Sequence, residues 1–251
     1  MGRISESVKV ILIVNVLFFI GSQLIGNQAY ELFALWFPKN EHFQLWQILT
    51  HMFMHGGFSH ILFNMFALFI FGSLLEQTIG QNRFLFLYFS AGLGAAGLQI
   101  LFSYWSYNSA YTAFLDANYN PAQIQQFLDS VIRTGQASYN SQLIPQETAQ
   151  QLIDAYVTPM VGASGAIFGV MAAVALIYPN LPLYIMFIPI PIKAKYLIGG
   201  YFLLNLYSAI TGATILGPSN TAYWAHIGGA VIGFITMWYW KKNQFNQNRW
   251  N

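Results

Sequence analysis

Long, almost uncharged apolar runs constrain this chain more than any other feature of its sequence. Six are present, at residues 10–25, 58–75, 84–104, 157–178, 196–216 and 222–240. Crossing a hydrocarbon core of about 30 Å takes roughly 20 apolar residues in a helix. A helix also satisfies its backbone N–H and C=O groups within its own segment, as a bilayer demands. The runs therefore predict an all-α, polytopic membrane protein, a single domain over residues 1–251 with six transmembrane helices. Composition closes off the alternative: 56% of the residues are hydrophobic and 7% charged, against roughly a quarter charged in ordinary soluble domains. A surface so poor in charge cannot hold the chain in water.

Arg3 and Lys9 precede the first run as in a signal peptide, but no small-residue cleavage site follows Ile25, so the run is read as a retained span. Six spans return both termini to one side. With that side cytoplasmic, the inner segments hold Arg3, Lys9, Arg83, Lys193, Lys195, Lys241, Lys242 and Arg249, and the outer ones Lys39 and Arg133. Eight against two satisfies the rule that cytoplasmic loops keep positive charge. A shorter apolar stretch at 181–192 contains Pro182, Pro189 and Pro191, which interrupt helical hydrogen bonding and mark an interfacial or re-entrant loop.

Two outer segments are long. Residues 27–57 carry aromatic-rich pieces at 31–37 and 43–49, expected as short interfacial helices. Residues 105–156, rich in Gln, Asn, Ser and Tyr, are expected to form an extracytoplasmic helical insertion between spans three and four. There Ile124, Phe127, Leu128, Val131 and Ile132 follow Asn120 and Pro121 at helical spacing, and Leu152, Ile153 and Tyr156 follow Pro145. These two helices would make a hairpin cap, either a spacer or an element that gates access.

The chemistry is best sought among polar side chains inside the runs, because a bilayer makes them costly. His60 and Asn64 in span two, Ser164 in span four and His226 in span six lie three to eight residues from the outer ends of their runs. At 1.5 Å per residue that is a common depth of roughly 5 to 12 Å. Ser164 lies in the small-residue run Gly162 to Gly169, with Phe168 one turn after it, and Gly229 and Gly233 follow His226. Small residues let helices approach closely, and close approach is what a Ser–His hydrogen bond requires. The imidazole could then serve as general base to the hydroxyl. No assigned span contains Asp, so the pair would be a dyad without a charged third member. His60 and Asn64, four residues apart on one helix face, could donate hydrogen bonds to an oxyanion together with the Ser164 N–H. The plainer reading stands beside this one: serines, histidines and carboxamides in membrane helices commonly serve packing and helix-to-helix hydrogen bonds.

Other chemistries lack their residues. His51 and His55 are not followed by the Glu that a zinc protease motif places after its first His; they are expected to pin the outer loop, and His42 to be an exposed loop residue. Asp116, Asp129 and Asp154 fall outside the runs, which removes an aspartyl mechanism. A chain without cysteine has no thiolate metal site, disulfide or cysteine nucleophile. With a net charge of +2 and no basic stripe, a nucleic-acid partner is not indicated. No metal or cofactor is expected.

The segment from His51 to Asn64, the run Gly162-Ala163-Ser164-Gly165 and the run Ala225-His226-Ile227-Gly228-Gly229 together resemble the rhomboid family of intramembrane serine proteases. The likeness covers about residues 46–240 apart from the insertion. It implies a six-helix rhomboid bundle with a catalytic Ser164–His226 dyad, and an oxyanion hole from His60, Asn64 and the Ser164 N–H, with Gly162 and Phe168 in support. It implies a serine endopeptidase that cuts transmembrane protein substrates in the lipid bilayer, in the plasma membrane of a bacterium with both termini cytoplasmic. Its main competitor is a rhomboid-like protein that escorts membrane clients without cutting them. Two departures stand out. Phe168 occupies a place where many members have Tyr, and the family's Trp-Arg pair is Trp46-Gln47, which removes a charge suited to lipid headgroups.

Overall fold

A computed structural model of the chain describes residues 4–136, 138–184, 190–215, 217 and 221–247, with side chains through 243. The expected end of the fifth run at Leu216, the middle of the proline-bearing stretch with Pro189, and the charges Arg3 and Arg249 lie outside the described residues. The helices are α1 (Glu6–Ile25), α2 (Asn27–Phe33), α3 (Gln47–Thr50), α4 (Phe58–Ile79), α5 (Gln81–Asp116), α6 (Pro121–Thr134), α7 (Gln146–Val157), α8 (Ser164–Ile177), α9 (Ala194–Thr211) and α10 (Tyr223–Gln247). The stretch expected as an interfacial loop instead pairs its ends in a two-stranded antiparallel ribbon, β1 (Pro182–Tyr184) and β2 (Pro191–Lys193), with Leu183 opposite Ile192. Both prolines sit in edge strands, the positions in a sheet that tolerate a missing N–H.

By length and composition α1, α4 and α5 can each cross a membrane. The other three expected spans are also helical, but α8 has only 14 residues, about 21 Å of helix. It starts at Ser164 and not at Val157, because the preceding backbone has other partners. Leu35 and Met160 exchange two N–H···O bonds of 2.9 and 2.8 Å, and Gly162 donates to the His51 carbonyl at 2.9 Å. Gly162 also has φ +121°, which no helix contains and which glycine adopts without strain. A short α8 is tolerable because protein encloses it: Gly165 to Met171 are all buried, as are Ala173 and Val174.

Glycine contacts decide how closely α8 is enclosed. A Cβ at Gly229 would collide with the Gly165 carbonyl, one at Gly233 with the backbone of Gly169, and one at Gly165 with Ala95. α8 and α10 thus touch backbone to backbone at two levels, with α5 closing on α8 through alanine methyl groups, the small-residue packing expected from the sequence. Large apolar side chains of α1, such as Val10, Leu17 and Leu24, are exposed around the outside.

α4 is not a uniform helix. Leu68–Gly72 forms a π-helical turn within it. Asn64, Leu68, Gly72 and Glu76, each four residues on, are all buried. A strict four-residue step drifts about 40° per repeat on an α-helix of 3.6 residues per turn, and the wider turn takes up much of that drift. At its foot the Glu76 carboxylate accepts the N–H groups of Ser7 and Val8 at 3.0 Å each and the Ser5 hydroxyl. Those are orphan donors at the start of α1, where a negative charge also suits the helix dipole.

The segment 105–156 departs from a simple hairpin cap. α5 continues past Tyr104 to Asp116, so three helices pack there. Phe114 and Ala110 of α5 meet Ile124, Phe127 and Leu128 of α6 and Ala149, Leu152 and Tyr156 of α7 in a buried cluster. The sequence signals for α6 work as read: Asn120 and Gln123 form a reciprocal capping box, and Gly135 ends the helix in the left-handed region. Of the expected interfacial helices, 31–37 is helical only to Phe33, because Leu35 is taken up by the bridge to Met160. The piece at 43–49 becomes helical only at Gln47.

Candidate active site

Ser164 is the first residue of α8 and His226 lies in the first turn of α10. The glycine contacts that draw the two helices together bring the Ser164 Oγ to 2.8 Å from His226 Nε2. His226 is buried and Ser164 half-buried. The other ring nitrogen, Nδ1, lies 2.8 Å from Asn205 Oδ1 on α9. The Asn205 Nδ2 donates to the Tyr201 carbonyl at 2.8 Å, which fixes which end of the carboxamide faces the ring. A carbonyl oxygen only accepts, so Nδ1 carries the proton and Nε2 presents its lone pair to the serine. Phe168, one turn beyond Ser164, stacks on the imidazole with centroids 4.2 Å apart and planes at 11°. Its missing hydroxyl leaves that stacking intact.

His60 and Asn64 converge on the same place. A Cβ at Gly162 would lie 2.8 Å from His60 Nε2 and 3.6 Å from Asn64 Nδ2, so only glycine leaves these groups their room beside Ser164. The Gly56 N–H donates to His60 Nδ1 at 3.3 Å. That makes Nδ1 the acceptor and leaves Nε2 as the donor of the neutral ring. The Asn64 Nδ2 is buried without a hydrogen-bond partner among the described residues. An unmet buried donor is costly; here two donors face one small space next to a hydroxyl and the start of a helix.

The loop at residues 27–57 supports this arrangement from the side. Gln47 is fully buried. Its Nε2 donates to the carbonyls of Glu31 and His42 at 2.8 Å each, and its Oε1 accepts from the Gln44 N–H at 3.1 Å. The neutral replacement in the Trp-Arg pair is therefore an internal tie of the loop, not a surface group facing headgroups. His42 is half-buried against Trp36, with ring centroids 5.0 Å apart, and is not an exposed loop residue.

His51 and His55 are buried, as structural pins would be. Burial lowers the His51 ring to about 4, against weaker opposing hydrogen bonds from the Gln47 and Ile48 carbonyls. Burial first and the neighbouring His60 second lower His55 to about 4. Both rings are therefore neutral in the folded loop and titrate near 6.5 when unfolded. Their contribution to stability is complete above about pH 6.5 and is lost as the pH falls from there toward 4. At pH 5 the loss is about 2 kcal/mol for each ring. The detergent-solubilised protein should therefore unfold at lower temperature at pH 5 than at pH 7, and His51→Phe should flatten part of that dependence.

The sequence expectation placed Ser164, His226, His60 and Asn64 at one depth, and the coordinates bring all four together with Gly162 and Phe168. Asn205 was missed. Its signal was present, since it is the only carboxamide in α9 and lies between Leu204 and Leu206, where a polar group demands a partner.

The family model of the Rhomboid domain matches residues 42–114 and 136–243. Among curated relatives, the rhomboid protease AarA of Providencia stuartii is 32% identical over 200 residues, 76% of this chain and 54% of that protein. The mitochondrial rhomboid protein 1 of Saccharomyces cerevisiae is 25% identical over 197 residues, 78% of this chain and 42% of that protein. The rhomboid protease GlpG of Salmonella choleraesuis is 30% identical over 95 residues, 38% of this chain and 34% of that protein. The chain spans about half the length, or less, of the relatives it matches.

Proposed function

The chain belongs to the rhomboid family, an integral membrane protein by that membership and by its apolar helices, and from that premise we propose that it is an intramembrane serine endopeptidase acting on transmembrane proteins. The carrying observation is the 2.8 Å hydrogen bond between Ser164 Oγ and His226 Nε2. In the reaction, Oγ attacks the scissile carbonyl carbon while its proton passes to Nε2. The carbonyl oxygen becomes an oxyanion that accepts from His60 Nε2–H, Asn64 Nδ2 and the Ser164 N–H at the open start of α8. Donors of this kind contribute roughly 10²- to 10³-fold each. The imidazolium returns the proton to the leaving amine, giving an acyl-enzyme on Ser164, and a water deprotonated by Nε2 then releases the acid. No step calls for a metal or cofactor.

The six-span topology and the cytoplasmic termini belong to the same proposal, supported by the distribution of Lys and Arg and by the helices at all six runs. In it, residues 27–57 and 105–156 lie outside the membrane and water reaches Ser164 from there. Helical peptide bonds resist attack, so preferred substrates carry Gly, Pro or other helix-weakening residues near the cut. The escort reading has no feature in its favour here, since serine, base and donors are all in working register.

The test is labelling of the detergent-solubilised protein with a fluorophosphonate probe. Wild type should be phosphonylated at Ser164 and Ser164→Ala should not. Folded wild-type protein that takes up no probe would contradict the enzyme reading.

A further inference from the structure

We infer that Asn205 is a positioning residue, holding His226 in the one tautomer that can act as base toward Ser164, so that the working group is a neutral Ser–His–Asn relay spread over α8, α10 and α9. The inference rests on the proteolytic reading above. α9 buries one narrow stripe, Ala194, Ile198, Asn205 and Ser208, while Leu203, Leu204, Tyr207 and Ile210 around it are exposed. Asn205 occupies the inward face at a position where an aliphatic side chain would pack without needing partners.

Both ends of the carboxamide are used. Nδ2 is committed to the Tyr201 carbonyl one turn back and Oδ1 to the histidine, each at 2.8 Å. Rotating the amide would set Oδ1 against the Tyr201 carbonyl, two acceptors, and Nδ2 against the ring Nδ1–H, two donors, so that both bonds would be lost. The orientation is thus fixed from α9, and it fixes the ring. With Nδ1–H held by Oδ1, the Nε2 lone pair is aimed at Ser164 Oγ. In the other tautomer an Nδ1 lone pair would face the Oδ1 lone pairs, and Nε2–H would point at the hydroxyl it is meant to deprotonate. Phe168 holds the ring plane and Asn205 its rotation and proton, so neither duplicates the other. The partner is a dipole, not a carboxylate, which suits a site where a buried unpaired charge would be costly at rest.

A purely structural role, an interhelical tie between α9 and α10, predicts a different outcome from substitution. The experiment compares Asn205→Leu, which keeps the volume and removes the acceptor, with Asn205→Asp, which keeps an acceptor oxygen and removes the bond to Tyr201. Steady-state cleavage of a transmembrane substrate in proteoliposomes is measured per folded molecule, with the folded fraction taken from thermal unfolding. Asn205→Leu is expected to lower kcat on the order of 10²-fold, the scale of a misplaced catalytic group, with KM within about twofold. Asn205→Asp should keep at least about tenfold more kcat than Asn205→Leu. A wild-type kcat in Asn205→Leu, equal losses in the two variants, or a loss that disappears once corrected for folded fraction would each overturn the inference. Phosphonylation of wild type at Ser164 separates the two failures. If it is absent the protease reading falls, and if it is present while Asn205→Leu remains fully active only the role of Asn205 falls.

Discussion

Replacement of His226 by alanine is expected to abolish as much proteolysis as replacement of Ser164, and the double variant to lose no more than either alone. The two groups act as one device. Without Nε2 the hydroxyl has no acceptor at 2.8 Å and is too weak a nucleophile at neutral pH; without the hydroxyl the base has nothing to activate. Groups coupled this way are grossly non-additive, and single losses on the order of 10⁴- to 10⁶-fold in kcat follow when either is removed. What survives should be the contribution of His60, Asn64 and the Ser164 N–H, which bind charge on the carbonyl oxygen whether or not the dyad is present. Cleavage of a reconstituted transmembrane substrate by the four proteins of the cycle checks this. A double variant markedly worse than both singles would mean that the two residues serve separate steps.

Gly229→Ala is expected to be among the most damaging single-methyl changes the chain can suffer. The added carbon would meet the Gly165 carbonyl of α8, and a backbone carbonyl in a packed helix cannot swing aside as a side-chain end can. Relief requires α8 and α10 to separate, which opens the Gly169–Gly233 contact one level on and lengthens the Ser164–His226 bond. Overpacking typically costs 1 to 3 kcal/mol; a backbone clash at a two-level seam should reach the upper end of that range or beyond, about 3 to 5 kcal/mol. Gly97→Ala in α5 is the control, because nothing lies within 4 Å of its Cβ position and helix propensity favours alanine by up to about 1 kcal/mol. Thermal unfolding in detergent should show a large drop for the first and no drop for the second. Comparable midpoints for the two variants would refute the seam.

Hydropathy and the cost of buried polarity made most of the site legible. Ser164, His226, His60 and Asn64 stand out because each is polar within an apolar run, and helix rise with span direction predicts a shared depth, although Ser164 itself stands at the start of α8 and not inside a helix begun at Val157. Asn205 obeys the same rule but is masked by its chemistry, because the partner expected of a catalytic histidine is a carboxylate and Asn205 offers a carboxamide oxygen. The start of α8 could not be read, since apolar runs report what surrounds a segment and not where its N–H groups bond. The bridge from Leu35 to Met160 and the Gly162 bond to His51 are long-range pairings that leave no local trace. Gln47 misled for a related reason: against the family's Trp-Arg pair it reads as a lost charge, whereas its carboxamide ties Glu31 to His42 and Gln44 within the loop. The extension of α5 to Asp116 was hidden by its polar and aromatic composition, which resembles a loop until Phe114 and Tyr107 are seen to fill a small core of their own.

The wide turn at Leu68–Gly72 has a consequence that no hydropathy profile would register. Removing one residue there would let the turn relax to an ordinary α-turn with its two ends facing nearly as before, whereas adding one would leave the second span just as oily yet twist its ends relative to each other by about 100°, one residue's share of a helical revolution. Either the pair of donors above would swing off the reaction centre, or the carboxylate below would release the amino-terminal helix it grips. The span thus works as a keyed shaft, and insertion of a single codon in that turn would separate the chemistry at one end from the anchorage at the other.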